Sequence, residues 1–92
     1  MNTEKGFDKF LRAAVKHRGG LYIKMWTAWF IGLPDRLVIL KDIPPFFIEL
    51  KSPGEEPSKI QYRVIEKIKS LGVKVYVVDS VESINDIIEL YL

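Results

Sequence analysis

The sequence predicts an α/β fold: a mixed central sheet flanked by helices, in the order αβββαβα, with residues 1–92 forming one domain. Three observations carry this reading. Residues 3–20 space their apolar side chains helically between a capping residue and a glycine pair. Residues 21–51 hold three short β-branched and aromatic runs broken by glycine and proline. Residues 58–92 then read as helix, strand and helix. A strand–helix–strand segment closes as a right-handed crossover, which makes that part of the sheet parallel.

Each element has its own justification. Phe7, Phe10, Leu11, Ala14 and Val15 share one helical face, with Thr3 as N-cap and Gly19-Gly20 as the stop. Leu21 to about Trp26 reads as the first strand. Gly32 and Pro34 break the chain before the second strand, Arg36–Leu40. Ile43-Pro44-Pro45 is expected to turn, and Phe46–Lys51 to form the third strand. The polar loop from Ser52 to Pro57 leads into a helix starting near Pro57, whose dipole Glu55 and Glu56 complement. Ile60, Val64, Ile65, Ile68 and Leu71 are its expected inner face, and Gly72 its end. Val73–Val78 is apolar enough for a strand buried on both faces. Ser80 caps a last helix with Val81, Ile84, Ile87, Ile88 and Tyr91 inward.

An apolar fraction of 48% with 28% charged residues belongs to a soluble globular protein. With no cysteine, disulfides and thiolate metal sites are excluded, and a reducing cytoplasm fits. Four of the first ten residues are charged, where a signal peptide needs an apolar core. No apolar run approaches the ~20 residues that span a bilayer, so no membrane partner is expected. Charge is unevenly distributed. Residues 1–41 carry eight Lys/Arg against three acids, and residues 42–92 six against nine. The basic half suits a phosphate backbone and equally suits an ordinary solvated surface.

The chemistry concentrates in two stretches. Gly32-Leu33-Pro34-Asp35 places an acid at the start of the second strand, and Glu49-Leu50-Lys51 ends the third. Period-2 alternation puts Glu49 and Lys51 on one face of the sheet. Alone, the first stretch is an ordinary turn and the second a solvated strand edge. Together, on neighbouring strands, they gather two carboxylates and an amine. Hard oxygen ligands such as Asp35 and Glu49 select Mg²⁺ or Mn²⁺, and the Leu50 backbone carbonyl could join them. A bound cation offsets charge on a phosphodiester and activates water. An ammonium group such as that of Lys51, set beside carboxylates, suits orienting that water better than taking its proton. The single histidine, His17, near the first helix's C-terminus, reads as structural. There is no Ser-His-Asp set, no Cys-His pair and no phosphate-cradling glycine loop.

The ordered set of Glu4, Gly19-Gly20, Lys24, Gly32-Leu33-Pro34-Asp35-Arg36, Phe47-Ile48-Glu49-Leu50-Lys51-Ser52, Ser58, Gln61 and Leu71-Gly72-Val73 covers nearly the whole chain. It resembles the VRR-NUC family of the PD-(D/E)XK nuclease superfamily, in its standalone, phage-type form. The resemblance implies a restriction-endonuclease-like αβββαβ core. It implies Asp35 and Glu49 as metal ligands and Lys51 as catalytic lysine. Gln61 would touch substrate or metal-bound water, and Glu4 would reach the cluster from the first helix. DNA contacts are expected at Lys24, Arg36, Ser58 and Lys59.

The expected function is a metal-dependent, structure-selective DNA endonuclease using Mg²⁺ or Mn²⁺. Its target would be branched DNA such as four-way (Holliday) junctions, cut by a homodimer in a bacterial or phage-infected cytoplasm. No helix-turn-helix or zinc module is present to read base edges. One alternative is a catalytically silent DNA-binding or assembly module. Another is an unrelated small α/β interaction domain, in which Asp35 and Glu49 would lie apart. The aromatic stretch from Met25 to Ile31, with Trp26, Trp29 and Phe30, reads as core, dimer interface or base-stacking surface.

Overall fold

The computed structural model describes residues 1–26 and 28–92; Thr27, inside the aromatic stretch, lies outside the described residues. Seven elements follow in order: α1 (Glu4–His17), β1 (Leu21–Lys24), β2 (Arg36–Leu40), β3 (Ile43–Leu50), α2 (Lys59–Ser70), β4 (Val75–Val78) and α3 (Val81–Tyr91). The sheet runs β1-β2-β3-β4. The first three strands are antiparallel neighbours, and β4 joins β3 in parallel. The expected mixed sheet in a restriction-endonuclease-like core is therefore present.

Helix starts are fixed by hydroxyl caps. The side chains of Thr3, Ser58 and Ser80 accept hydrogen bonds from Gly6 N, Gln61 N and Ser83 N, which satisfies otherwise orphaned donors. The core lies mainly against one face of the sheet. Phe7, Leu11 and Val15 of α1 pack with Ile84 and Ile87 of α3 over Val38, Leu40, Phe46, Ile48, Leu50 and Val78. Alternation turns Phe47 and Glu49 to the opposite side. There α2 packs on β4 and buries Ile65.

Several sequence expectations need correction. Ile43-Pro44-Pro45 is not a turn but the start of β3, and the hairpin turn is Lys41-Asp42, with Asp42 left-handed at φ 62°. Prolines fit there because β4 pairs only from Phe47 onward, while a register irregularity between Val38 and Leu40 relaxes the β2 side. β1 ends at Lys24, two residues early. β4 starts at Val75, because Val73 N bonds back to Ile68 O and keeps residues 71–73 in the helix exit, while the Lys74 carbonyl already accepts from Phe47 N of β3. Ile60 of α2, Leu71 at its C-cap, Val81 of α3 and Phe10 of α1 are exposed. α2 is thus half covered, and much of its apolar stripe faces outward.

Candidate active site

The register of the sheet makes the site. Arg36 pairs with Ile48 and Leu37 with Phe47, so one step further places Asp35 opposite Glu49. Gly32 permits this approach. At φ +90° it packs so closely on α2 that a Cβ would lie 3.0 Å from the Ile60 carbonyl oxygen. Buried Pro34 then delivers Asp35 to the head of β2. Asp35 is tied at two points. Its Oδ2 accepts from Leu50 N at 2.9 Å, and its carbonyl accepts from Met25 N at 2.8 Å and Arg36 Nη1 at 2.9 Å. Since a strand residue sends its N–H and C=O to the same edge, the Leu50 carbonyl also faces the Asp35 side. The reading in which the two acids lie apart is overturned.

Glu49 is 1% exposed, and among the described residues neither of its oxygens has a hydrogen-bond partner. The nearest cation is Lys51, whose Nζ stands 3.3 Å from Glu49 Oε2. Burial pushes the Glu49 carboxyl up to about 7, the neighbouring Asp35 carboxylate adds to the rise, and Lys51 opposes it. With Lys51 as its neighbouring cation and Asp35 opposing it, the buried Glu49 carboxylate keeps a demand for further positive charge. Two oxygen ligands from Asp35 and Glu49, with that demand, match a hard divalent cation. Among the described residues no group of three or more acidic, histidine or cysteine side chains comes together, so the protein supplies a pair.

The other expected site residues fall in different places. Glu4 is exposed on the first turn of α1 and does not join Asp35 and Glu49; with Lys5, Asp8, Arg36 and Leu50 it lines a neighbouring depression of about 310 Å³. Gln61 closes a capping box, its Oε1 accepting from Ser58 N at 2.8 Å while Ser58 Oγ accepts from Gln61 N at 3.3 Å. Both thus hold the start of α2. Lys24 and Lys59 are exposed, at the end of β1 and the start of α2. Arg36, expected to face DNA, instead grips Asp8 and the Asp35 carbonyl. His17 sits in the last turn of α1, as its structural reading expects.

Sequence reasoning missed Asp8 and Tyr22. Asp8 accepts from Tyr22 Oη at 2.8 Å and from Arg36 Nε and Nη2 at 3.0 and 2.9 Å. Burial alone would raise the Asp8 carboxyl. The Arg36 and Tyr22 hydrogen bonds and the guanidinium charge outweigh burial and hold it below the usual aspartate value. Burial and Asp8 likewise raise the Tyr22 phenol. The only hint in the sequence was a charged residue bordering the buried Phe7–Leu11 stripe.

An open mixed sheet that sets an aspartate at the head of one strand against Glu-x-Lys at the tail of its antiparallel neighbour is the architecture of the PD-(D/E)XK nucleases, and this chain has that fold. No protein-family model matches the chain. A solved structure described as "VRR_NUC domain" superimposes with a TM-score of 0.87 at 32% identity, over 98% of this chain and 99% of that one. "Putative nuclease p44" of Acyrthosiphon pisum secondary endosymbiont phage 1 is 38% identical over 77 residues, 84% of this chain and 83% of that protein. The chain belongs to the VRR-NUC family of nuclease-fold proteins.

Proposed function

We propose that the protein is a Mg²⁺- or Mn²⁺-dependent DNA endonuclease whose nuclease domain spans residues 1–92. The observation that carries this reading is the buried Glu49 carboxylate, without a hydrogen-bond donor, facing Asp35 and paired with Lys51. Asp35, Glu49 and the Leu50 carbonyl would hold the cation. When bound, it supplies positive charge to the scissile phosphate and makes water more acidic. Asp35, tied by Leu50 N, presents its carboxylate without reorganising. Lys51 orients the attacking water and offsets negative charge as the phosphorus takes on a fifth oxygen. Glu49 keeps Lys51 in place through the ion pair. The amide nitrogen of Gln61 is available to substrate, since the capping box uses its oxygen. Glu4 lines the depression beside Arg36 and Leu50, and exposed Lys24 and Lys59, with Ser58, are the proposed contacts to the phosphate backbone.

Branched DNA, with four-way junctions foremost, is the proposed substrate, and a homodimer the proposed form, acting in a bacterial or phage-infected cytoplasm. The aromatic stretch supports the dimer. Trp26 and Trp29 are 80% and 81% exposed, so the core reading of this stretch is overturned. Phe30 lines an apolar groove on α2 with Val64, Ile68 and Leu71. Protruding indoles beside such a groove make a self-complementary surface of the kind a two-fold contact needs. Each tryptophan covers roughly 150–250 Å² on burial, so two from each copy bring roughly 600–1,000 Å². A specific interface starts near ~1,200 Å², and Ile31, Ile60 and Leu71 add to the sum.

A gel assay tests the reading. Labelled duplex, flap, single strand and four-way junction are incubated with Mg²⁺, Mn²⁺ or EDTA. Metal-dependent nicking of the junction, abolished by EDTA, is the expected result. Binding without cleavage under every metal condition would favour the catalytically silent DNA-binding module instead.

A further inference from the structure

We infer that Asp8 is a positioning residue for the candidate metal site, acting through Arg36 to hold Asp35 against Glu49. The inference rests on the nuclease reading and adds to it a part of the site that lies outside the strand motif. Asp35 belongs to the connection entering β2, not to the paired strand itself. Its backbone is held by one bond that continues the β1 register, Met25 N donating to the Asp35 carbonyl at 2.8 Å. Arg36 supplies a second: its Nη1 donates to the same carbonyl at 2.9 Å. A guanidinium on the next residue is useful only if its own direction is fixed. Asp8 fixes it by accepting from Nε at 3.0 Å and from Nη2 at 2.9 Å, a two-pronged grip that sets the plane as well as the place. Tyr22 then fixes Asp8 with a 2.8 Å hydrogen bond, while its ring lies 5.9 Å from the Arg36 guanidinium carbon.

The chain of contacts runs from α1 through β1 and β2 to the peptide of Asp35. At its far end Asp35 Oδ2 is taken by Leu50 N, and Oδ1 is not engaged in that bond. Both the backbone and the carboxylate of Asp35 are thus held while one oxygen is left for a ligand. Loss of Asp8 lets the guanidinium swing and frees the Asp35 carbonyl from one of its two donors. The same docking places Glu4, one helical turn before Asp8, beside Arg36 and Leu50 in the shared depression.

Mn²⁺ binding by isothermal titration calorimetry, without DNA or turnover, provides the test. It is run at a temperature where circular dichroism shows each variant folded. Asp8→Asn keeps the shape and removes the charge. It should weaken Mn²⁺ binding by about 10–100-fold, as loss of a group orienting a metal ligand does. Arg36→Lys keeps a cation beside Asp8 but lacks the fork that reaches Asp8 and the Asp35 carbonyl together. It should show a similar loss, and it supplies the comparison if Asp8→Asn does not fold. Tyr22→Phe removes one of the three hydrogen bonds to Asp8 and leaves the Arg36 grip, so it should weaken Mn²⁺ binding less than Asp8→Asn does. A purely structural Asp8 predicts a lower melting temperature with wild-type Mn²⁺ affinity in the folded protein, and that result overturns the inference while leaving the nuclease reading intact. A wild-type protein that takes up no Mn²⁺ overturns both.

Discussion

Two carboxylates, Asp8 and Glu49, show how one small fold uses the same chemical group in opposite ways. Asp8 accepts three hydrogen bonds, two of them from a guanidinium, and its acidity is strengthened. Glu49 accepts none among the described residues, although it is the more deeply buried of the two, and its carboxyl is pushed up to about 7. A satisfied buried charge locks elements together. An unsatisfied one lowers stability and is kept where a ligand completes it. Under the proposed function, the difference assigns the ion network around Arg36 to the framework and the Glu49–Lys51 pair to the machinery.

The largest expected effect lies on the machinery side. Glu49→Ala or Lys51→Ala should reduce cleavage of a labelled junction by about 10³-fold or more, which corresponds to about 4 kcal/mol in the barrier. Wild-type rates in purified, metal-loaded Lys51→Ala would erase the distinction.

Next comes the framework. Asp8→Ala leaves the Arg36 charge unpaired in a partly buried place and should cost about 2 kcal/mol. That is less than the 3–5 kcal/mol typical of full burial, because both side chains keep some solvent contact. Thermal unfolding should show a fall of roughly 8–16 °C for a domain of this size. Glu49→Ala should show no comparable fall.

A smaller effect distinguishes the two acids by pH in the absence of metal. The Glu49 carboxyl rises on folding from 4.5 to about 7. Its contribution is therefore fully present below 4.5 and is lost as pH climbs through 7. Asp8 is shifted downward, so its contribution is present above the ordinary aspartate value of 3.8 and is lost as pH falls below it. Urea titrations across pH should show Glu49→Gln flattening the decline between 4.5 and 7, with a gain of roughly 1–3 kcal/mol at the upper end. Asp8→Asn should flatten only the acid limb. The smallest effect is expected from Trp29→Ala. Its stability should stay within about 0.5 kcal/mol of wild type, while sedimentation shifts toward monomer.

Legibility followed the range of each interaction. Thr3, Ser58 and Ser80 announced their helices because capping acts within three residues. Asp35 and Glu49 could be paired because strand alternation and a short connection constrain them. Pro44 and Pro45 misled because a proline's cost depends on which neighbour needs its missing N–H, and that is decided by where β4 begins. Ile60 and Leu71 satisfied helical periodicity, but periodicity does not say whether a face meets the sheet or the solvent. The Asp8–Arg36 contact spans 28 positions and leaves no local mark. The sequence thus exposed the acids that share neighbouring strands and hid the long-range contacts around Arg36.

The aromatic stretch has a consequence for spectroscopy. Both tryptophans of this chain stand on one exposed connection, and none lies in the interior. In a lone copy indole emission should already be that of a hydrated ring, so melting the monomer should hardly move its colour. A blue shift would signal that another molecule has covered the connection. The chain carries an optical reporter for company, blind to the unfolding of a single copy.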